Sequence, residues 1–208
     1  MKRRIWATAT AALLWCGSAQ ASGGELAAAR AQLLSAAQKE LTQDAGQVVL
    51  GNPQAAHAAA VFFDYRCGFC RRMTPAIAEA LQRRRDVKLV VQQMAVLGEE
   101  SRTAATVALA AADLGAGPAA HDILMHYTGD WSREALTAAV AAGTHLDPAK
   151  LSLAAQKPEV QARIAHTLEA ASALGVGGTP TFVSAAGIVP GAMQPDALER
   201  FLQRTAQP

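Results

Sequence analysis

The segment from Ala58 to Cys70, AAAVFFDYRCGFC, does most to limit what this chain can fold into. Ala58 to Tyr65 is almost wholly apolar, the pattern of a β-strand covered on both faces. Cys67-Gly68-Phe69-Cys70 follows at once and opens a helical pattern that continues through Ile77 and Leu81. At i and i+3 on a first helical turn, Cβ atoms sit about 5–6 Å apart. A disulfide wants about 3.5–4.5 Å, so the turn must adjust to close one. Strained or exposed bonds of that kind tend to be labile and catalytic. This pair is laid out to exchange.

The third cysteine, Cys16, falls in a segment that reads as a removable leader. Lys2, Arg3 and Arg4 form a basic start, Ile5 to Trp15 a short apolar stretch, and Ala19-Gln20-Ala21 a small-residue cleavage site. The apolar stretch is shorter than the about 18 residues a membrane span needs. Trp15 occupies the position before Cys16 where a lipoprotein site wants a small residue, and Arg3-Arg4 alone does not specify a twin-arginine signal. Cleavage after Ala21, with secretion across a bacterial-type inner membrane into the periplasm, is the expectation.

The formal net charge of the whole chain is +2, and loss of Lys2, Arg3 and Arg4 lowers it by three, to −1. A chain so close to neutral offers no global argument for nucleic acid or an anionic membrane as partner. With only Cys67 and Cys70 left in an oxidising compartment, no further disulfide can staple the fold. Stability must come from packing, which frees the pair for chemistry.

Residues 25–43 predict a helix with Leu26, Leu33, Leu34, Ala37 and Leu41 on one stripe. Gln47 to Pro53 reads as a strand and turn, and Val87 to Gln93 as a second buried strand. From about Glu99 to Leu174 no strand pattern occurs. Gly115, Gly143 and Gly175 mark helix ends there, and Pro118, Pro148 and Pro158 sit where first-turn prolines belong. Thr181–Ser184 and Ile188-Val189 predict a hairpin turning at Ala186-Gly187, with Pro190 confining the second strand to an edge. Leu198, Phe201 and Leu202 give a last amphipathic helix. The expected division is a leader over 1–21, an N-terminal helix over 22–46, and an α/β domain over 47–208 with a helical insertion at about 99–174.

Two stretches carry a resemblance. Phe62-Phe63-Asp64-Tyr65-Arg66-Cys67-Gly68-Phe69-Cys70-Arg71 resembles the active-site signature of secreted DsbA-like thiol–disulfide oxidoreductases. Gly175-Val176-Gly177-Gly178-Thr179-Pro180-Thr181-Phe182-Val183 resembles their second signature, a cis-proline loop leading into a strand. Leu97–Ser101 and Val189–Ala192 are similar in a less specific way. The resemblance spans roughly residues 47–205 and implies a thioredoxin-like fold with a helical insertion. It also implies exported proteins as substrates and a membrane partner that resets the pair.

Exchange needs a thiolate. Cys67, at the helix start, gains from unpaired amides and the positive end of the helix dipole, and Arg66, Arg71 and Arg72 add positive charge. Cys67 is therefore the expected nucleophile, and Cys70, one turn further in, the resolving thiol. The redox-active Cys67–Cys70 disulfide is the only cofactor expected. Gly68 leaves backbone open to a substrate and Phe69 offers an apolar contact; their similarity to the Gly-Tyr of isomerase relatives leans toward isomerase or reductase. The resemblance places Thr179 and Pro180 opposite the thiols, where the Thr179 backbone can pair with a substrate strand.

Metal binding is the competing class. Zinc wants four ligands and one CxxC gives two; His57, His121, His126, His145 and His166 include no i, i+4 pair. Copper(I), satisfied by few thiolates, is the alternative reading. A non-catalytic interaction module ranks below both, because it has no need of two cysteines. The short run Arg83-Arg84-Arg85 reads as cations suited to a helix C-terminus. The leucine stripe of residues 25–43 must be covered by its own domain or by another copy; its length suits a monomer or a weak dimer.

Overall fold

The computed structural model describes residues 23–43 and 46–207. The expected leader, and Cys16 with it, lies outside the described residues.

The two apolar runs form the central strands. β2 (His57–Phe63) and β3 (Val87–Gln93) pair in parallel, from His57 opposite Val87 to Phe63 opposite Gln93. β1 (Val48–Gly51) adds antiparallel to β3, and the hairpin of β4 (Thr181–Ser184) and β5 (Gly187–Pro190) adds antiparallel to β2. The result is a 5-stranded mixed sheet ordered β1-β3-β2-β4-β5. Pro190 sits on the edge strand, where a missing N–H is tolerated.

Successive side chains of β2 divide between two cores, as the alternation of a strand requires. Ala59, Val61 and Phe63 pack with Met73, Ile77, Leu198 and Phe201; Ala60 and Phe62 pack with Leu41, Ala171 and Val176. The first core is covered by α2 (Gly68–Arg83) and α8 (Pro195–Thr205), the second by α1 (Gly23–Leu41) and α7 (Pro158–Ala173). Phe62 and Phe63 are at most 1% exposed, and burying each contributes about 1.5–3 kcal/mol.

Between β3 and β4 run α3 (Glu99–Asp113), α4 (Gly117–His126), α5 (Arg133–Thr144), α6 (Pro148–Ala155) and α7. Helix α3 is the hub, packing against all four others. Its small side chains permit this: Ala104, Ala105, Ala108, Ala110 and Ala111 are at most 1% exposed. Gly175 closes α7 in a left-handed conformation (φ 67°). There the amide of Val176 donates to the carbonyl of Ala171 at 2.8 Å and that of Gly175 to Ser172 at 3.1 Å. This paired closure sends the chain directly into the Thr179-Pro180 loop.

One sequence expectation needs correction. Gly143 does not end α5, which continues to Thr144 before His145 turns left-handed at φ 57°. A Cβ at Gly143 would stand 2.6 Å from Ile123 Cδ1, so a larger residue there would have to displace the end of that side chain. The leucine stripe of α1 is covered only at its C-terminal end. Leu41 is 2% exposed, whereas Leu26 and Leu33 are 62% and 72% exposed. In that same half Gln38 bonds the Ala58 carbonyl and the Ala185 amide, and Glu40 meets His166 at 3.1 Å.

Candidate active site

Phe63 ends β2 and Gly68 begins α2, so the four residues Asp64 to Cys67 turn the chain from sheet to helix. Asp64 organises that turn. Its carboxylate, 1% exposed, accepts the amide of Arg66 at 2.7 Å and the hydroxyl of Ser101 at 2.7 Å. It also accepts the amides of Val96 and Leu97 at 2.9 and 3.1 Å. The β2–α2 turn, the β3–α3 loop and the start of α3 are thereby tied to one side chain. Buried charge is tolerable only with such complete hydrogen bonding. Sequence reasoning passed over Asp64; the signal was a carboxylate inside an otherwise apolar run.

Cys67 occupies the N-cap of α2 with extended backbone (φ −73°, ψ 115°), its amide donating to the Asp64 carbonyl at 3.1 Å. The Cys67 sulfur lies 3.2 Å from the carbonyl oxygen of Thr179, toward which the thiol donates. Burial alone would push its pKa up. Hydrogen bonding with the Thr179 side chain, with the backbone and thiol of Cys70 and with the Phe69 backbone outweighs that and holds it below the ordinary thiol value. Cys70 is fully buried, and burial pushes its thiol well above the ordinary range. The two thiols are thus differentiated: Cys67, buried at the turn, is the more acidic, and Cys70 beneath it is held neutral.

Of the other predicted residues, Gly68 and Phe69 are exposed, Phe69 at 57%. Thr179 is half-buried and joined to the buried Pro180 by a cis peptide bond. The loop is held from both sides, by Thr181 Oγ1 donating to the Gly178 carbonyl at 2.7 Å and the Gly191 amide to the Pro180 carbonyl at 2.8 Å. The structure therefore brings Cys67, Cys70 and the Thr179-Pro180 loop into one site, with Gly68-Phe69 at its mouth. Among the described residues no group of three or more His, Cys, Asp or Glu side chains is placed to hold a metal ion.

The arginines do something other than crowd the sulfur. Arg66 and Arg71 lie over the ring of Trp131, at 4.8 and 5.8 Å from its centroid, and Arg72 lies over Phe69 at 4.5 Å. Arg71 also donates to the carbonyls of Tyr127 at 2.7 Å and Tyr65 at 3.4 Å. Trp131 and Tyr127 belong to the helical block and carry no sequence signal that links them to the thiols. At the other end of the run, Arg84 pairs with Asp86 at 2.8 Å and Arg83 with Glu79 at 2.6 Å, beside Glu199 of α8.

Comparison with known proteins agrees with this geometry. Residues 59–203 match the model of the DSBA-like thioredoxin domain. The fold is similar to a thioredoxin-like oxidoreductase from Silicibacter pomeroyi DSS-3, at 34% identity and TM-score 0.73, covering 80% of this chain and 96% of that one. It is similar to the catalytic domain of Proteus mirabilis ScsC at 25% identity and TM-score 0.73, covering 85% and 98% of the two chains. The thiol-disulfide exchange protein alpha-DsbA2 from Wolbachia pipientis, at 21% identity and TM-score 0.72 over 85% and 97% of the two chains, shares the fold. No curated protein sequence matches. A thioredoxin-type sheet carrying a helical block between its strands, with two unlike thiols at the start of α2, places this chain in the DsbA-like thioredoxin-domain family of thiol–disulfide oxidoreductases.

Proposed function

We propose that the protein exchanges disulfides with cysteines of exported proteins in the periplasm. One observation carries the reading. Cys67 is a hydrogen-bonded N-cap thiol held below its ordinary pKa, beside the Thr179 carbonyl and above a neutral Cys70. The Cys67 thiolate attacks one sulfur of a client disulfide, forming a Cys67–client bond while the other client sulfur leaves as thiolate and takes a proton. Cys70 then loses its proton and attacks the Cys67 sulfur, so the client's second thiol is released. The client gains two electrons and the pair becomes a disulfide. Run backward, the same steps oxidise a client dithiol; stopped at the mixed disulfide and reversed onto another client sulfur, they isomerise.

The exposed Gly68-Phe69 pair and the Thr179 backbone form the surface along which a client strand lies. The Gly-Phe dipeptide favours isomerisation or reduction. No cofactor beyond the Cys67–Cys70 pair is required, and a membrane redox protein restores the pair after each turnover. Delivery to the periplasm rests on the leader read over residues 1–21.

The test is trapping. Cys70→Ser accumulates mixed disulfides with client proteins, and Cys67→Ser abolishes exchange. Exchange that survives Cys67→Ser would overturn the proposal. Acid-quenched alkylation in the native compartment reads the direction: a mostly reduced pair means isomerase or reductase, a mostly oxidised one an oxidase.

A further inference from the structure

Three guanidinium groups lie at the mouth of the thiol site, and among the described residues only one of them pairs with a carboxylate. Arg66 pairs with Glu100 at 2.9 Å. Asp64 is turned inward onto amides and a hydroxyl, and Asp130 accepts from the amide and hydroxyl of Ser132 at 3.1 and 2.9 Å. Among the described residues, neither Arg71 nor Arg72 has a carboxylate partner. Arg66 and Arg71 nevertheless share one indole, at 4.8 and 5.8 Å. Two like charges so placed repel, and Glu100 offsets the charge of Arg66 alone.

The individual geometries assign different tasks. Stacking on a ring occupies the face of a guanidinium and leaves its in-plane N–H groups free for a carboxylate. Arg66 uses its edge on Glu100, and Arg71 uses its edge on the carbonyls of Tyr127 and Tyr65. Arg72 alone keeps its edge open. It is exposed, fixed 4.5 Å over Phe69, and its Nη1 lies 3.3 Å from where a Cβ on Gly68 would stand. The open guanidinium therefore covers the dipeptide between the two thiols, within the field of Arg71 and of the positive end of α2.

We propose that Arg72 receives the carboxylate of an acidic residue flanking the client cysteine, so that the protein selects cysteines in acidic sequence. This rests on the exchange reading above and names its substrate class.

Two synthetic disulfide peptides, identical except for Glu or Gln beside one cysteine, test it in the Cys70→Ser background. The quantity read is the Glu/Gln ratio of mixed-disulfide formation rates, divided by the same ratio toward β-mercaptoethanol. That normalisation removes the intrinsic effect of the charge on the peptide, and the ratio removes any change in Cys67 reactivity. A preference of about three- to tenfold for the Glu peptide is expected at low salt, from one charge-assisted contact at a surface. It falls toward one at 1 M salt, where screening acts within about 3 Å. It is lost in Arg72→Gln and kept in part in Arg72→Lys. A ratio of one in the Cys70→Ser protein, or a preference that survives Arg72→Gln, would overturn the proposal. Failure of both peptides to react overturns the exchange reading and this proposal with it.

Discussion

Tyr65 and His121 meet through a 3.1 Å hydrogen bond between Oη and Nδ1, wholly inside the protein. Gln93 donates to the same Oη at 3.3 Å, and the imidazole tautomer sets which partner donates in the Oη–Nδ1 bond. Phe63 stacks on the ring at 5.9 Å between centroids. Burial first, and the neighbouring His126 second, hold the His121 pKa down at about 3.

An acid-labile fold follows. The folded pKa of His121 lies below the unfolded value of about 6.5. Its contribution to stability is therefore fully present above that value and is lost as pH falls toward about 3. Urea unfolding between pH 7 and pH 4 should show the wild type losing up to about 1.4 kcal/mol per pH unit more than His121→Gln. Parallel curves for the two proteins would refute the assignment.

The two thiols should separate in alkylation. With iodoacetamide, Cys67 should react with a midpoint below the ordinary thiol value of about 8.5, and Cys70 should stay slow well above it. The stability of the reduced protein follows with opposite signs. The lowered pKa of Cys67 makes stability rise with pH up to the unfolded value. The raised pKa of Cys70 makes it fall beyond that. Equal alkylation rates at any pH near neutral would contradict the structure.

Asp64 should prove a structural necessity. Asp64→Ala leaves three part-buried amides and the buried Ser101 hydroxyl without their acceptor. The loss should be roughly 2–4 kcal/mol by denaturant unfolding, since buried groups left unsatisfied cost about 1–3 kcal/mol each and partly relax. Asp64→Asn keeps an acceptor oxygen and should cost less. If both variants match the wild type, the carboxylate does not organise the turn.

The halves of α1 should respond differently. Leu41→Ala should cost about 2–4 kcal/mol, the usual range for a buried leucine, and Leu33→Ser should stay within about 0.5 kcal/mol. Light scattering on the protein lacking residues 1–21 should give a monomer or a weak dimer. A tight oligomer that falls apart without residues 22–46 would show that Leu26 and Leu33 are covered by other copies.

Local patterning made much of the sheet legible. The span of β3 matches its apolar run, and Pro190 marked the edge strand. The glycines and prolines punctuating the helical block worked wherever backbone conformation was the reason for them, as at Gly175. They misled at Gly143, which lies within α5 against the Ile123 side chain of another helix. The same limit explains the site. Cys67 and Cys70 announce themselves by spacing, but Trp131 under two arginines, His121 on Tyr65 and Ser101 on Asp64 are meetings between distant elements with no periodic trace. The exposure of Leu33 is of this kind too, because burial depends on where the sheet ends.

Cys67 and Thr179 are separated by 112 positions, with the whole helical block between them. The Thr179 side chain, first among the hydrogen-bonding groups that lower the thiol's pKa, is therefore absent from any chain that stops before β4. A chain that ends within the block keeps the contacts with Cys70 and Phe69 but lacks this one, so its Cys67 is less acidic. The full acidity of Cys67 therefore waits on a loop that lies beyond the entire helical block.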